Sequence, residues 1–434
     1  MKIALFTPTH AQSAIARVSA LVYSSLQQAG HNVAIVATEQ IAVELENRNV
    51  RFVDSTRWTD VRAVRQIVSE SDLVLHQIGD HYPLHAGSVA WLSEIGGCVA
   101  LHDFFLGDMF VSWIPGNERE AADVLKRWYG LEVEEYYQMA RSGRFVDRSW
   151  PRYPLTEWIC SQADGIIVHS EFGLPAVRRS TNAPVRVLSL PYDLAGGKVA
   201  APLNPSEIRN PADRTVRVLT FGRINPNKLC DLIVNSIAGR EELRTNIDFR
   251  VVGTILPGDR DALAMLARDI GVQLTIVGEV NDDDLVAELN AADVIACLRL
   301  PALESASASA VEGMLSGSPL IVLDTGFYSS LPSAAVFFLP ERETQSKLTT
   351  LLCEIVAGDF DLPAMGAAAQ SYAEATFRAD TYASALVGLG REAAKRRPEA
   401  ELDATYATLL TVEGMTQDSS VVQTYRDDTA IFRL

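Results

Sequence analysis

Several things are scarce in this chain, and each scarcity removes a class of function. Positive charge is the first. Lys and Arg number 38 against 55 Asp and Glu, a formal charge of -17 at pH 7, whereas a protein that tracks nucleic-acid phosphates needs a basic surface. No nucleic-acid partner is expected. Long hydrophobic runs are also lacking: stretches such as Leu320–Leu323 fall far short of the roughly 18 residues of a transmembrane helix. Met1–Phe6 is a strand-like run broken at once by Thr7 and Pro8, so no signal peptide is expected. The expected location is the cytoplasm, with peripheral association at the cytoplasmic face of a membrane left open. The five cysteines, Cys98, Cys160, Cys230, Cys297 and Cys353, are scattered and form no CxxC pair, so they read as reduced thiols. Glycine, finally, is absent from the loop Thr7–Ser13 after the first strand-like run. Without a GxGxxG turn the backbone cannot approach a dinucleotide pyrophosphate, and a dehydrogenase-type first domain is excluded.

What remains is a soluble globular composition, 48% apolar and 21% charged, over 434 residues. That length exceeds one ordinary core and implies two domains of roughly 200 residues each. In the first half, short apolar runs (KIALFT, HNVAIVA, SDLVLHQIG, GGCVALHDFF, ADGIIVHS) alternate with helical patterns, as in a parallel sheet covered on both faces. A long aromatic segment from Met109 to Trp158 interrupts the alternation. It reads as helices and loops covering one edge, whose tryptophans and tyrosines either stack on ligand rings from an exposed face or fill a core edge. A stretch rich in Pro, Gly and Asn lies between Leu190 and Arg214. The alternation then restarts with TVRVLTFG, DFRVVGT, VQLTIVG, DVIACLR and PLIVLD. The expected organisation is a first domain over 1–195, a linker over 196–214, a second domain over 215–375, and a C-terminal helix and tail over 376–434 that packs back on the first domain. Two doubly wound sheets joined in this way leave a cleft at the carboxyl ends of their strands, where ligands bind.

Two stretches carry chemistry. After the strand ending in Phe221 and Gly222 comes Arg223-Ile224-Asn225-Pro226-Asn227-Lys228. Two cations around a turn at a strand's carboxyl end suit a diphosphate, although a solvated loop has the same composition. The second stretch is PALESASASAVEGMLSGSP, in which Glu304 and Glu312 flank small residues. Ser305 or Ser307 can cap a helix that Gly317 and Pro319 end, leaving an N-terminus open to an anion. All seven histidines lie in the first half. Asp80, His81 and His85 suggest a metal, but Pro83 spoils the helical spacing, so no metal site is expected. His102 and His169 end apolar runs. Asp282, Asp283 and Asp284 fit a helix N-terminus.

Together, FGRINPNK, the E-x7-E pair at Glu304 and Glu312 and the following SGSPLIV resemble the retaining glycosyltransferases of family 4, which have the GT-B fold. SAIAR, HQIGDHYPLH, ALHDFF and ADGIIVHSEF resemble that family's acceptor-domain landmarks, and the likeness covers roughly residues 1 to 395. It implies two Rossmann-like domains and transfer of a sugar from a nucleotide diphosphate sugar to a carbohydrate or lipid-linked acceptor, with no cofactor and no metal required. By the same resemblance Gly222, Arg223 and Lys228 would serve the donor diphosphate, with Ser305, Ala306 and Ser307 beside it. Glu304 would hold the donor sugar and Glu312 the ribose hydroxyls, an arrangement suited to carboxylates. His102 would lie by the reacting sugar, and Ser13, Ala14, His102 and Asp103 would face the acceptor. The chain departs from many relatives in having Ala14 where they have glycine, and Ser305-Ala306-Ser307 where they have Gly-Phe-Gly. The alternatives are a nucleotide-sugar epimerase or hydrolase on the same architecture, or a non-catalytic nucleotide-sugar-binding protein.

Overall fold

The computed structural model describes residues 1–40, 51–52, 54–142, 145–150, 152–194 and 215–412. The expected linker, 196–214, lies outside the described residues. In the first domain, β1 (Lys2–Thr7), β2 (Asn32–Ala37), β3 (Thr56–Arg57), β4 (Leu73–Ile78), β5 (Cys98–Leu101), β6 (Gly165–Val168) and β7 (Val185–Val187) form a sheet in the order β3-β2-β1-β4-β5-β6-β7. In the second, β8 (Val216–Phe221), β9 (Ile247–Val252), β10 (Leu274–Gly278), β11 (Val294–Ala296), β12 (Leu320–Leu323) and β13 (Val336–Leu339) run in the order β10-β9-β8-β11-β12-β13. Every pairing among these strands is parallel. Central strands such as CVAL, GIIV and LIVL are buried at every residue, as expected where helices cover both faces.

The chain reverses direction across each sheet beside its first strand. Ile3 pairs with both Val33 and Leu73, and Val218 pairs with both Phe249 and Val294. The crevices beyond the carboxyl ends of β1 with β4, and of β8 with β11, are therefore the two topological switch points, the usual ligand sites of such sheets.

The strands omitted from the sequence reading are the edges β3, β7 and β13, which hold two, three and four residues and are too short to show a period. A larger difference concerns residues 379–412, which form one helix, Ala379–Val412. Its buried Ala383, Leu386, Leu389 and Ala393 lie against the helix Ala14–Gln28 and strands β4 and β6 of the first domain. The polar composition beyond Arg396 concealed this continuation.

The aromatic segment fills a core edge. Five helices, Gly107–Trp113, Glu118–Tyr129, Val133–Ala140, Phe145–Ser149 and Thr156–Cys160, turn its rings inward. Trp113 and Trp158 have ring centroids 4.5 Å apart, and Phe110 stands edge-on to Trp158 at 5.1 Å and to Tyr136 at 5.6 Å. The Tyr129 hydroxyl donates to Glu157 at 2.6 Å. These rings build a satellite core, because mutual burial removes more apolar area from water than a surface sugar platform would.

Candidate active site

The two switch points meet across a seam between the domains. Asp103, just beyond β5, forms an antiparallel bridge with Glu304 of the second domain. The Phe104 amide donates to the Leu303 carbonyl at 2.8 Å and the Ser305 amide to the His102 carbonyl at 2.7 Å. Ser305 is held from a second side as well: its hydroxyl accepts from the His169 amide at 2.7 Å, and its carbonyl accepts from the Ser170 hydroxyl at 2.6 Å. The loop expected to offer amides to a diphosphate thus has its Ser305 amide engaged by the first domain. Ser307 caps the helix Ala308–Leu315 by accepting from the Ala310 amide, and Ala306 lies buried between them.

On the second domain, Gly222 follows β8 at φ +93, and a Cβ there would stand 3.1 Å from the Lys228 ammonium. Only glycine lets the chain turn this closely over the lysine. Lys228 lies in a short 3-10 turn, Pro226–Lys228, and is 3% exposed; its Nζ donates to the Phe221 carbonyl. Burial, reinforced by the nearby Arg299 guanidinium, lowers its pKa from 10.5 to about 7. Arg299 is also buried and donates through Nε to Glu304 Oε1 at 3.3 Å. Arg223 is exposed and faces the first domain, where its charge assists burial in holding His81 below the ordinary histidine range. The two expected diphosphate cations therefore differ: Arg223 lies open in the cleft, while Lys228 is a buried ammonium under the strand end.

On the first domain, the expected acceptor residues are engaged internally. Ser13 accepts from the Ala16 amide as the N-cap of the helix Ala14–Gln28, and Ala14 is exposed at its first position. The His102 imidazole does not point to an open sugar position. It is buried, with Nε2 2.6 Å from Gln77 Oε1 and its ring 4.8 Å from that of His169. Burial, followed by the neighbouring His169 and His85, keeps its pKa well below 6.5, so it is a neutral ring. What His102 offers the seam is its carbonyl. Asp103 accepts from the Asp80 amide at 2.8 Å, and burial, with Glu304 nearby, raises its pKa to about 7.

The reading of Glu312 also changes. It is 4% exposed, and its Oε1 accepts from Arg17 Nη1 at 3.1 Å, so a first-domain guanidinium stands where ribose hydroxyls were expected. Arg17 lies four residues after the Ser13 cap, one helical turn on and on the same face. That spacing is the signal by which sequence reading could have found it. Glu39 was missed as well. It follows β2 and is 2% exposed, and its Oε1 accepts from the amides of Thr9 and His10, the latter at 2.8 Å. A carboxylate directly after a buried strand was its trace in the sequence.

Two parallel-sheet α/β domains facing across a cleft are the GT-B architecture. Residues 206–351 match the family model described as Glycosyl transferases group 1; the second domain is a group 1 glycosyl transferase domain, and the chain is a glycosyltransferase. No curated protein matches the chain. Among solved structures the chain is similar to sucrose-phosphate synthase from Thermosynechococcus elongatus (17% identity, TM-score 0.61, covering 90% of this chain and 98% of that one). It is also similar to Anabaena HepE in complex with UDP and glucose (14%, 0.56, 92% and 100%). A third is WaaG, a glycosyltransferase involved in lipopolysaccharide biosynthesis (15%, 0.52, 89% and 100%). At these identities the likeness is one of fold. Among the described residues no helix is long and apolar enough to cross a membrane.

Proposed function

We propose that the chain is a retaining, family 4 glycosyltransferase that moves a hexose from a nucleotide diphosphate sugar to a carbohydrate or lipid-linked acceptor in glycan biosynthesis. It would act in the cytoplasm, at the membrane face when the acceptor is lipid-linked. The observation that carries this reading is the buried Lys228 ammonium under Gly222, with Arg223 open to the cleft above it. As the glycosidic bond breaks, negative charge grows on the leaving phosphate. Cations fixed in a low-dielectric site stabilise that charge without reorganisation. Lys228, whose pKa burial lowers to about 7, takes up its proton fully once a diphosphate lies against it.

Glu304, anchored by Arg299, is set to accept hydroxyls of the donor sugar. The acceptor hydroxyl would attack from the face the diphosphate leaves, handing its proton to a phosphate oxygen, so no protein base is required. Lys228, Arg223 and the N-terminus of the helix Ala308–Leu315 would supply the electrostatic work that a metal performs elsewhere, and turnover is proposed to be independent of divalent metal.

The test is incubation with a panel of nucleotide sugars, beginning with UDP-glucose because the similar HepE structure holds UDP and glucose. Nucleotide release is measured with and without carbohydrate acceptors, in excess chelator, and product anomers are assigned by NMR. Acceptor-dependent release with retained configuration is expected. Inverted product, or activity lost in chelator and restored by manganese, would overturn the corresponding part of the reading.

A further inference from the structure

Arg17 has no part in the reading above, yet it touches the carboxylate to which that reading gives the ribose. Its Nε donates to Asp193 Oδ1 at 2.7 Å and its Nη2 to the Asp193 carbonyl at 2.6 Å. Its guanidinium carbon stands 4.5 Å from the centre of the Tyr192 ring. These three contacts fix it within the first domain. Its remaining arm, Nη1, crosses the seam to Glu312 Oε1 at 3.1 Å. Glu312 is thus a buried second-domain carboxylate with a cation supplied by the other domain. Gln12, on the loop before the same helix, crosses in parallel to Glu279 at 2.6 Å.

A vicinal diol donates to both oxygens of a carboxylate, and one of those on Glu312, Oε1, is already held by Arg17 Nη1. We propose that Arg17 contests Glu312 with the ribose of the nucleotide. It is a positioning residue that ties the domains together through Glu312 and yields when a ribose 2′,3′-diol takes the carboxylate. This rests on the reading of Glu312 as the ribose contact. Affinity for nucleotide is then reduced by the fraction of molecules in which Arg17 occupies Glu312. Once released, Arg17 keeps its Asp193 and Tyr192 contacts, so it is not left uncompensated. Removing Arg17 withdraws the cation that competes with the diol for Oε1.

The experiment is calorimetric titration of UDP, GDP and ADP, each with its 2′-deoxy counterpart, into wild-type protein and Arg17→Met. For whichever ribonucleotide the wild type binds best, Arg17→Met is expected to bind roughly tenfold tighter, the size of one hydrogen bond to a charged group, and the gain is expected to shrink for the 2′-deoxy form. A merely structural role would lower the melting temperature without tightening nucleotide binding. Should Arg17→Met not fold, Arg17→Gln, which keeps a donor but no charge, is expected to shift affinity in the same direction by about threefold. Unchanged or weaker binding in the variants, with a wild type that binds, overturns this inference alone. No binding of any nucleoside diphosphate by the wild type overturns the proposed function, and this inference with it.

Discussion

The two switch points are built alike in backbone and opposite in charge. In the first domain the loop after β1 is closed by Glu39, a buried carboxylate that collects the Thr9 and His10 amides. In the second, the loop after β8 is closed by Lys228, a buried ammonium on the Phe221 carbonyl. A carboxylate within an amide nest has already taken the place a phosphate would want, whereas a desolvated ammonium gains from any anion that approaches. One fold repeated twice thus carries a buried carboxylate at one crevice and a buried ammonium at the other, and the difference lies in two side chains rather than in topology.

The sharpest way to break this comparison is at Lys228. A hydrogen bond to a charged group is worth about 1.5–3 kcal/mol net. Lys228→Ala is therefore expected to lower kcat roughly 10- to 150-fold at about 1.4 kcal/mol per tenfold, with a smaller rise in donor KM, because the charge it meets grows only as the bond breaks. Near-normal kcat in a folded variant would remove the cation from the mechanism.

Glu39 is the counter-test. Glu39→Ala strands two buried amides, a loss of about 1–3 kcal/mol, or a melting temperature lower by about 2–4 °C per kcal/mol for a domain of this size. Nucleotide affinity is expected to hold. A variant that melts normally but binds nucleotide differently would mean that the first crevice is not sealed by its own carboxylate.

The mildest test is pH. Lys228 has a folded pKa of about 7 against 10.5 for the free side chain. Between those values the unfolded chain binds more protons than the folded one, so its contribution to stability rises with pH across that window and is smallest below about 7. Denaturant titrations from pH 7 to 9.5 are expected to show wild type gaining on Lys228→Met by at most about 1.4 kcal/mol per pH unit. Parallel curves would place the ammonium in water.

Much of the fold was legible because its signals were local. Apolar runs such as GIIV and LIVL marked buried parallel strands, and Ser307 stood where a cap was needed. The group 1 glycosyltransferase domain was legible for the same reason, since FGRINPNK and SGSPLIV are each one contiguous run within the matched residues 206–351. What escaped were relations between distant residues. Nothing near Glu312 announces Arg17, 295 positions away, and nothing in ALHDFF says that its backbone pairs with the Glu304 loop. The inward turn of His102 and of the Trp113 ring likewise depends on partners, Gln77 and Trp158, supplied from elsewhere in the domain.

The helix Ala379–Val412 has a consequence for how the protein is made. Residues Leu386 and Leu389 are buried among elements that include β4 and β6, and Gly390 approaches Leu73 so closely that a Cβ would stand 2.8 Å from it. Of the two domains, the one made earlier is therefore finished by a helix made after the later one. Until some 350 further residues have followed it, its helix Ala14–Gln28 lacks the partner against which it is to pack. The second domain, whose strands run from 216 to 339, has no such wait. Synthesis order and completion order are reversed, and a nascent chain stalled before residue 379 is expected to recruit chaperones to its N-terminal half.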